Sequence, residues 1–167
     1  MKKTFGILVT LLLAVCGIGE VQAAITPSTG AVQPGQWNAN LEACKQYAQD
    51  NQLPLLAIWS TEGCHFCKMF QPVIETAVFN NWLNEVKPVM YYAHASSYAA
   101  DRKNADWVSA TGQRGELTDF PFVRVWWPAQ KKDLYFTGRK ANFGAKDLSP
   151  SDVDGQAVKL IEKIKTA

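Results

Sequence analysis

Cys64-His65-Phe66-Cys67 is the segment of this 167-residue chain whose residue types and spacing could do chemistry. Two cysteines three positions apart on a helix lie within one turn, near enough to close a small disulfide ring and to open it again. Such a pair is suited to thiol–disulfide exchange: one thiolate attacks a disulfide sulfur, and the second thiol resolves the mixed disulfide. Placement decides which thiol does which. A continuous apolar run, Leu55-Leu56-Ala57-Ile58-Trp59, precedes the pair, and a helical pattern with Cys67, Phe70, Ile74 and Val78 on one face follows it. The first cysteine then stands at a helix N-terminus, where free N–H groups and the positive end of the helix dipole favour a thiolate. Cys64 is therefore the expected nucleophile and Cys67 the expected resolving thiol. His65, when protonated, adds positive charge beside Cys64. An exposed Phe66 at the helix start implies a protein partner that covers it.

The elements that must position this pair are readable from periodicity. Asn38 or Asn40 caps a helix running to about Asp50, with Leu41, Cys44 and Ala48 on one face. The run from Leu55 to Trp59 lacks alternation, which predicts a strand buried on both faces, the parallel kind. The helix carrying the cysteines extends from about Cys64 to Phe79 and is kinked by Pro72, which lacks an N–H. Val86 to Ala95 reads as a second strand, and the polar stretch 96–119 holds one helix near Lys103 to Ala110. Phe120 to Trp127 and Asp133 to Thr137 form a hairpin across a polar turn. Its Trp126 and Trp127 point to opposite faces, one toward the core and the other bordering a substrate groove. Ser149-Pro150 opens a last helix with Val153, Ala157, Leu160, Ile161 and Ile164 facing inward. The order is α-β-α-β-α-β-β-α around one mixed sheet, an α/β sandwich.

Composition sets the outer limits. With 47% hydrophobic residues, 19% charged residues and a formal net charge of +2, the chain fits one ordinary domain. The near-neutral charge and the lack of a basic run give no case for nucleic-acid binding. Lys2 and Lys3, an apolar run from Phe5 to Ile18 and then Val21-Gln22-Ala23 read as a signal peptide cut before Ala24. The run is too short for a comfortable membrane span, so no stable membrane insertion is expected. A retained anchor and lipidation of Cys16, against which bulky Val15 argues, are the alternatives. The expected organisation is a signal peptide at 1–23, an extended and mobile leader at 24–37 and one domain at 38–167. The protein is then periplasmic or secreted.

Several residues together carry a family resemblance. They are Trp59, Cys64-His65-Phe66-Cys67, Lys68-Met69 directly after it, Pro72 at the kink, Phe120-Pro121-Phe122-Val123, Gly138 and the amphipathic last helix. From about Asn38 to Lys165 the chain resembles the thioredoxin superfamily, specifically its exported disulfide oxidoreductases. The resemblance implies a thioredoxin-like three-layer sandwich, a central mixed β-sheet flanked by helices. It implies a redox-active disulfide between Cys64 and Cys67, with Trp59, His65 and Phe66 tuning it. Phe120-Pro121 matches the cis-proline loop that faces the dithiol in that family and would bind substrate. No cofactor and no metal are implied. The implied partners are protein thiol or disulfide substrates and a redox partner protein, with the chain itself a monomer. Three departures stand out. Ala57 and Ile58 lie where many thioredoxins bury an acid, with Glu62 in the turn as a displaced substitute. The stretch from Ser96 to Glu116 is longer than in a minimal thioredoxin. The His-Phe dipeptide is neither Gly-Pro nor Pro-His, so the direction of the reaction stays open.

Other readings of the same residues remain. A static Cys64–Cys67 bridge would close too short a loop to stabilise much. A metal site with His65 or His94 would want a second Cys/His pair, which the sequence lacks. Cys44 reads as a buried, inert thiol, a regulatory role being the alternative. His94 reads as a satisfied, partly buried histidine. A different class of function is a binding module of the same fold, holding metal or a partner, in which the cysteine pair is not catalytic.

Overall fold

Strand β2, Leu55–Thr61, is buried at every residue, as its unbroken apolar run requires of a strand covered on both faces. The structure is a computed structural model that describes residues 25–95, 120–137 and 152–166. Within them β2 lies at the centre of a five-stranded sheet of order β1-β3-β2-β4-β5. The other strands are β1 (Trp37–Asn38), β3 (Val89–Ala95), β4 (Phe122–Trp127) and β5 (Lys132–Thr137). β1 and β2 each pair parallel with β3, whereas β4 pairs antiparallel with both β2 and β5, so the sheet is mixed.

Side chains of β2 alternate between two cores. Leu56 and Ile58 join Met90, Tyr92, Val123 and Val125 on one face. That face is covered by α2 (His65–Ile74), α3 (Ala77–Val86) and α4 (Val153–Thr166). Leu55, Ala57 and Trp59 face the other way, against Leu41, Cys44 and Ala48 of α1 (Leu41–Asn51). The inward stripe expected of the last helix is seen at Ala157, Leu160, Ile161 and Ile164. Trp126 and Trp127 do point to opposite faces, but each packs against one of the two cores.

Three sequence-based expectations need correction, and the choice left open for the cap of the first helix is decided. The helix after the dithiol does not reach Phe79. Pro72 cannot donate an intrahelical bond, α2 ends at Ile74, and a new helix starts behind Thr76. The Thr76 hydroxyl accepts from Phe79 N–H at 3.1 Å and donates to Val73 C=O at 3.0 Å, stitching the two helices. The break shifts the inward phase by one position: Phe79 is fully buried and Val78 is only half-buried. Val86 closes α3 rather than opening a strand, and Lys87 takes the left-handed cap conformation before β3. Asn38 is not the helix cap; Asn40 is, its Oδ1 accepting from Ala43 N–H at 3.0 Å. Asn38 is buried in β1 and donates from Nδ2 to Met90 C=O at 2.9 Å. The leader is docked rather than free. Ser28 bridges to Asn38, Ile25 and Trp37 pack on one core and Val32 on the other, and β1 straddles positions 37 and 38. The signal segment, the helix expected near 103–110, Gly138 and Ser149-Pro150 lie outside the described residues. Among the described residues no helix is long and apolar enough to cross a membrane.

Candidate active site

The cysteine pair sits where the central strand runs out. After Thr61 the chain turns through Glu62 and Gly63, and Gly63 adopts φ +70°, a conformation a side chain would strain. Cys64 N–H donates back to Thr61 C=O at 3.4 Å, which fixes the turn to the strand end. Cys64 is the N-cap of α2, and its Sγ accepts from Cys67 N–H at 3.1 Å. This is the position a small oxygen-bearing cap usually fills, here taken by sulfur. An anionic sulfur there would gain both the N–H bond and the helix dipole. Cys64 and Cys67 are disulfide-bonded, with Cα atoms 5.3 Å apart. Cys64 is half-buried, while Cys67 is 7% exposed, so of the pair the helix-tip sulfur is the accessible one.

The remaining expected site residues divide by exposure. His65 is exposed and meets Phe66 edge-on, ring centroids 5.7 Å apart. Phe66 is half-buried rather than fully exposed. Trp59 is fully buried, edge-to-face with Tyr91 at 5.5 Å and Phe122 at 5.4 Å, and belongs to the core that Cys67 joins. Phe120 is buried in the same core, Pro121 is buried beside it, and the peptide between them is cis. The structure thus brings Trp59, Cys67 and Phe120 into one apolar cluster, with Cys64 against its edge.

No buried carboxylate stands by the pair among the described residues. Among the described residues every Asp and Glu is exposed except half-buried Glu75, and Glu62 is exposed in the turn. Glu62 therefore does not stand in for a buried acid, and Ala57 and Ile58 leave that place apolar. Among the described residues no group of three or more His, Cys, Asp or Glu could hold a metal ion.

Cys44 is a free thiol with no exposed surface, its Sγ 3.9 Å from Met90 C=O. Burial pushes its pKa up to about 11 from 9.0. Because the folded value is the higher one, the stability that Cys44 contributes is present below about pH 9.0 and is lost as pH rises toward about 11. In the reduced protein, a limiting alkylating agent at mildly acid pH is expected to label Cys64 first and Cys44 last. Peptide mapping reads the order, and first labelling of Cys67 would reverse the assignment of the two roles.

Sequence reasoning overlooked Ser60 and Tyr92. His94 is exposed rather than partly buried, and its Nδ1 lies 3.1 Å from the Oγ of buried Ser60. Tyr92 lies on the same face of the sheet as Ser60 and His94. Burial raises the Tyr92 pKa, the Ser60 hydroxyl offsets part of that, and the Glu75 carboxylate raises it further. The signal that could have found the trio is strand register: Ile58 pairs with Tyr92 and Ser60 with His94, which puts all three on one face near the dithiol end of the sheet.

No family model and no curated relative matches the chain. Solved structures do. A DsbH oxidoreductase superposes with TM-score 0.51 at 15% identity, covering 87% of this chain and 95% of that one. A disulphide isomerase from Xylella fastidiosa Temecula1 gives TM-score 0.50 at 14% identity, covering 72% and 88%. A thioredoxin from Thermus thermophilus gives TM-score 0.49 at 10% identity, covering 82% and 87%. Identities this low speak to the fold, and with the observed sheet they establish it: the chain is an α/β thioredoxin-like sandwich, a mixed five-stranded sheet flanked by helices.

Proposed function

We propose that the protein is an exported thiol–disulfide oxidoreductase that exchanges disulfides with protein substrates through Cys64 and Cys67. The observation that carries this reading is Cys64 at the N-cap of α2, its sulfur accepting the Cys67 N–H at 3.1 Å while half-open to solvent. In the reducing direction the Cys64 thiolate attacks one sulfur of a substrate disulfide. The Cys64–substrate bond forms and the other substrate sulfur leaves as a thiolate. The Cys67 thiolate then attacks Cys64 Sγ, the mixed disulfide breaks, and a second substrate thiolate leaves. Two electrons pass from the dithiol to the substrate, and the reverse sequence oxidises a substrate dithiol. Phe120, a member of the apolar cluster that holds Cys67, and buried Pro121 after it are the proposed substrate contacts, with His65 and Phe66 at the rim. The charged n-region, apolar run and small-residue cut site within 1–23 support export to the periplasm or beyond. A redox partner protein must restore the dithiol after each reducing cycle, or the disulfide after each oxidising one.

Insulin-disulfide reduction and dithiol-peptide oxidation, each run with metal-free and metal-loaded protein, test the reading. Turnover in either direction that is independent of metal is expected. Metal uptake by the cysteine pair without turnover would make the chain a binding module instead.

The couple should be more oxidising than thioredoxin's, for which about −270 mV is typical. A capped, N–H-bonded thiolate stabilises the reduced form, His65 adds positive charge when it is protonated, and no described buried carboxylate opposes it. The expected rise is tens of millivolts, where about 30 mV corresponds to about 1.4 kcal/mol for two electrons. Equilibration with glutathione buffers measures it, and His65→Ala should bring the value down. A potential at or below thioredoxin's that ignores His65→Ala would refute this tuning and point to a reductase.

A further inference from the structure

We propose that the groove between α3 and α4 seats α4 of a second copy of this chain, so that the protein forms a weak, two-fold symmetric dimer through that face. A dimer departs from the monomer that the family resemblance implies, and neither Cys64 nor Cys67 lines the groove. The groove has a volume of about 360 Å³. Its apolar floor is Val78 and Trp82 from α3 with Val158 and Ile161 from α4. Val158 is 42% exposed, one of two large hydrophobic side chains among the described residues that stand so far into solvent. An apolar floor left open in this way marks an interaction face. Charge outlines it: Glu85 and Glu162 on the rim bring two carboxylates to the one ammonium of Lys165.

What fits the groove is written on α4 itself. Val158, Ile161 and Lys165 line it, and Asp154 stands one turn before Val158 on the same row. The four follow one another at intervals of four, three and four residues, the spacing of a heptad seam. The row covers about 16 Å, three turns of helix. It opens on an acid, closes on a base and holds two apolar residues between them, so it is its own complement when turned antiparallel. A two-fold axis then sets Val158 against Ile161 of the second copy, and Asp154 against Lys165 of the second copy, each contact occurring twice. Parallel packing would place like charges together at both ends. Asp154 and Lys165 are exposed, and neither has a hydrogen bond or ion pair among the described residues, so both are free to bridge between copies. The wider charge agrees, since α4 carries three lysines to two acids, opposite in sign to the rim it enters. A pair of such short helices buries an area at the low end for protein interfaces, below about 1,200 Å², which makes the dimer a weak one.

The experiment is sedimentation equilibrium of the protein in its natural processed form, with a reducing agent present so that no intermolecular disulfide contributes. The wild type is expected to dimerise with a Kd of about 10–100 μM. Val158→Asp, which puts a carboxylate into each apolar contact, should raise that Kd about tenfold or more. Asp154→Lys and Lys165→Glu, each alone, set like charges together at both ends of the seam and should raise it about fivefold. Mixed in equal amounts, these two variants should bind each other about as tightly as the wild type binds itself. In that pair the cation introduced at position 154 meets the carboxylate introduced at position 165, and the native Lys165 meets the native Asp154. A helix merely weakened by either substitution would stay weakened in the mixture, so recovery reads the contact between copies rather than the stability of α4. A wild type that stays monomeric up to about 500 μM leaves the groove to a helix of another protein and overturns the dimer. Val158→Asp with wild-type association, or a mixture no tighter than its components, overturns it as well. None of these outcomes touches the dithiol assignment.

Discussion

Under the exchange activity proposed above, Cys67→Ala should turn a catalyst into a trap. Cys64 stays at the helix tip, half-exposed and bonded to the N–H of residue 67, which the substitution retains because that donor is backbone. It can still attack a disulfide, but no buried sulfur one turn below remains to release the product. Mixed disulfides on Cys64 should therefore accumulate, visible as bands that disappear on reduction, and turnover should fall by about a thousandfold or more, as when one member of a cooperating catalytic set is removed. Expressed in its native host, the variant should carry the partner protein with it. Cys64→Ala should lose turnover equally and trap nothing, because Cys67 is 7% exposed and sits inside the apolar cluster. Cys44 gives no rescue, since it is fully buried and its pKa is pushed up to about 11. Trapping by Cys64→Ala rather than by Cys67→Ala would exchange the two roles. Equal turnover in all three proteins would remove the dithiol from the reaction.

What the sequence discloses of this fold follows from how local each signal is. The apolar run of β2 was enough to place the central strand, because burial on both faces writes itself into every consecutive residue. The stripe of α4 and the cap-to-end extent of α1 are local patterns of the same sort. The break at Glu75–Thr76 is not legible in the sequence, because apolar residues on both sides continue a helical rhythm, and only Thr76 and the missing N–H of Pro72 mark the stop. The docking of residues 25–38 was hidden for a different reason. It depends on backbone pairing with β3 and on the Asn38 bond to Met90, made with residues some fifty positions later, and neither produces a local period. The cysteine pair is the most legible part of the site, since spacing and strand-to-helix context lie within one short segment. The Ser60–His94 contact needs the register of two strands, which a single sequence does not specify.

The resemblance implies that Trp59 tunes the dithiol, and its surroundings make a larger effect on stability the expected result. The ring has no exposed surface and fills the space between Tyr91 and Phe122, meeting both edge-to-face. It belongs to the core formed by α1, β2 and the segment around Phe120, on the face opposite α3 and α4. Truncation to Ala would remove the largest side chain of that cluster and leave a cavity that neighbours on a strand hydrogen-bonded on both sides cannot collapse to fill. Trp59→Ala should cost about 3–5 kcal/mol, a large share of the about 5–15 kcal/mol that holds a domain together. Urea unfolding of the oxidised protein should show it as a lower midpoint at unchanged slope. Trp59→Phe keeps an aromatic edge for both neighbours and should lose much less. The reduction potential separates packing from tuning. Trp59→Phe should leave it within about 10 mV of the wild type, because the N-cap bond and the charges around Cys64 are untouched; 30 mV corresponds to about 1.4 kcal/mol. A Trp59→Ala protein that unfolds at the wild-type midpoint would show that the ring is not part of the core, and a Trp59→Phe protein with a shifted potential but full stability would return it to the role of tuning the dithiol.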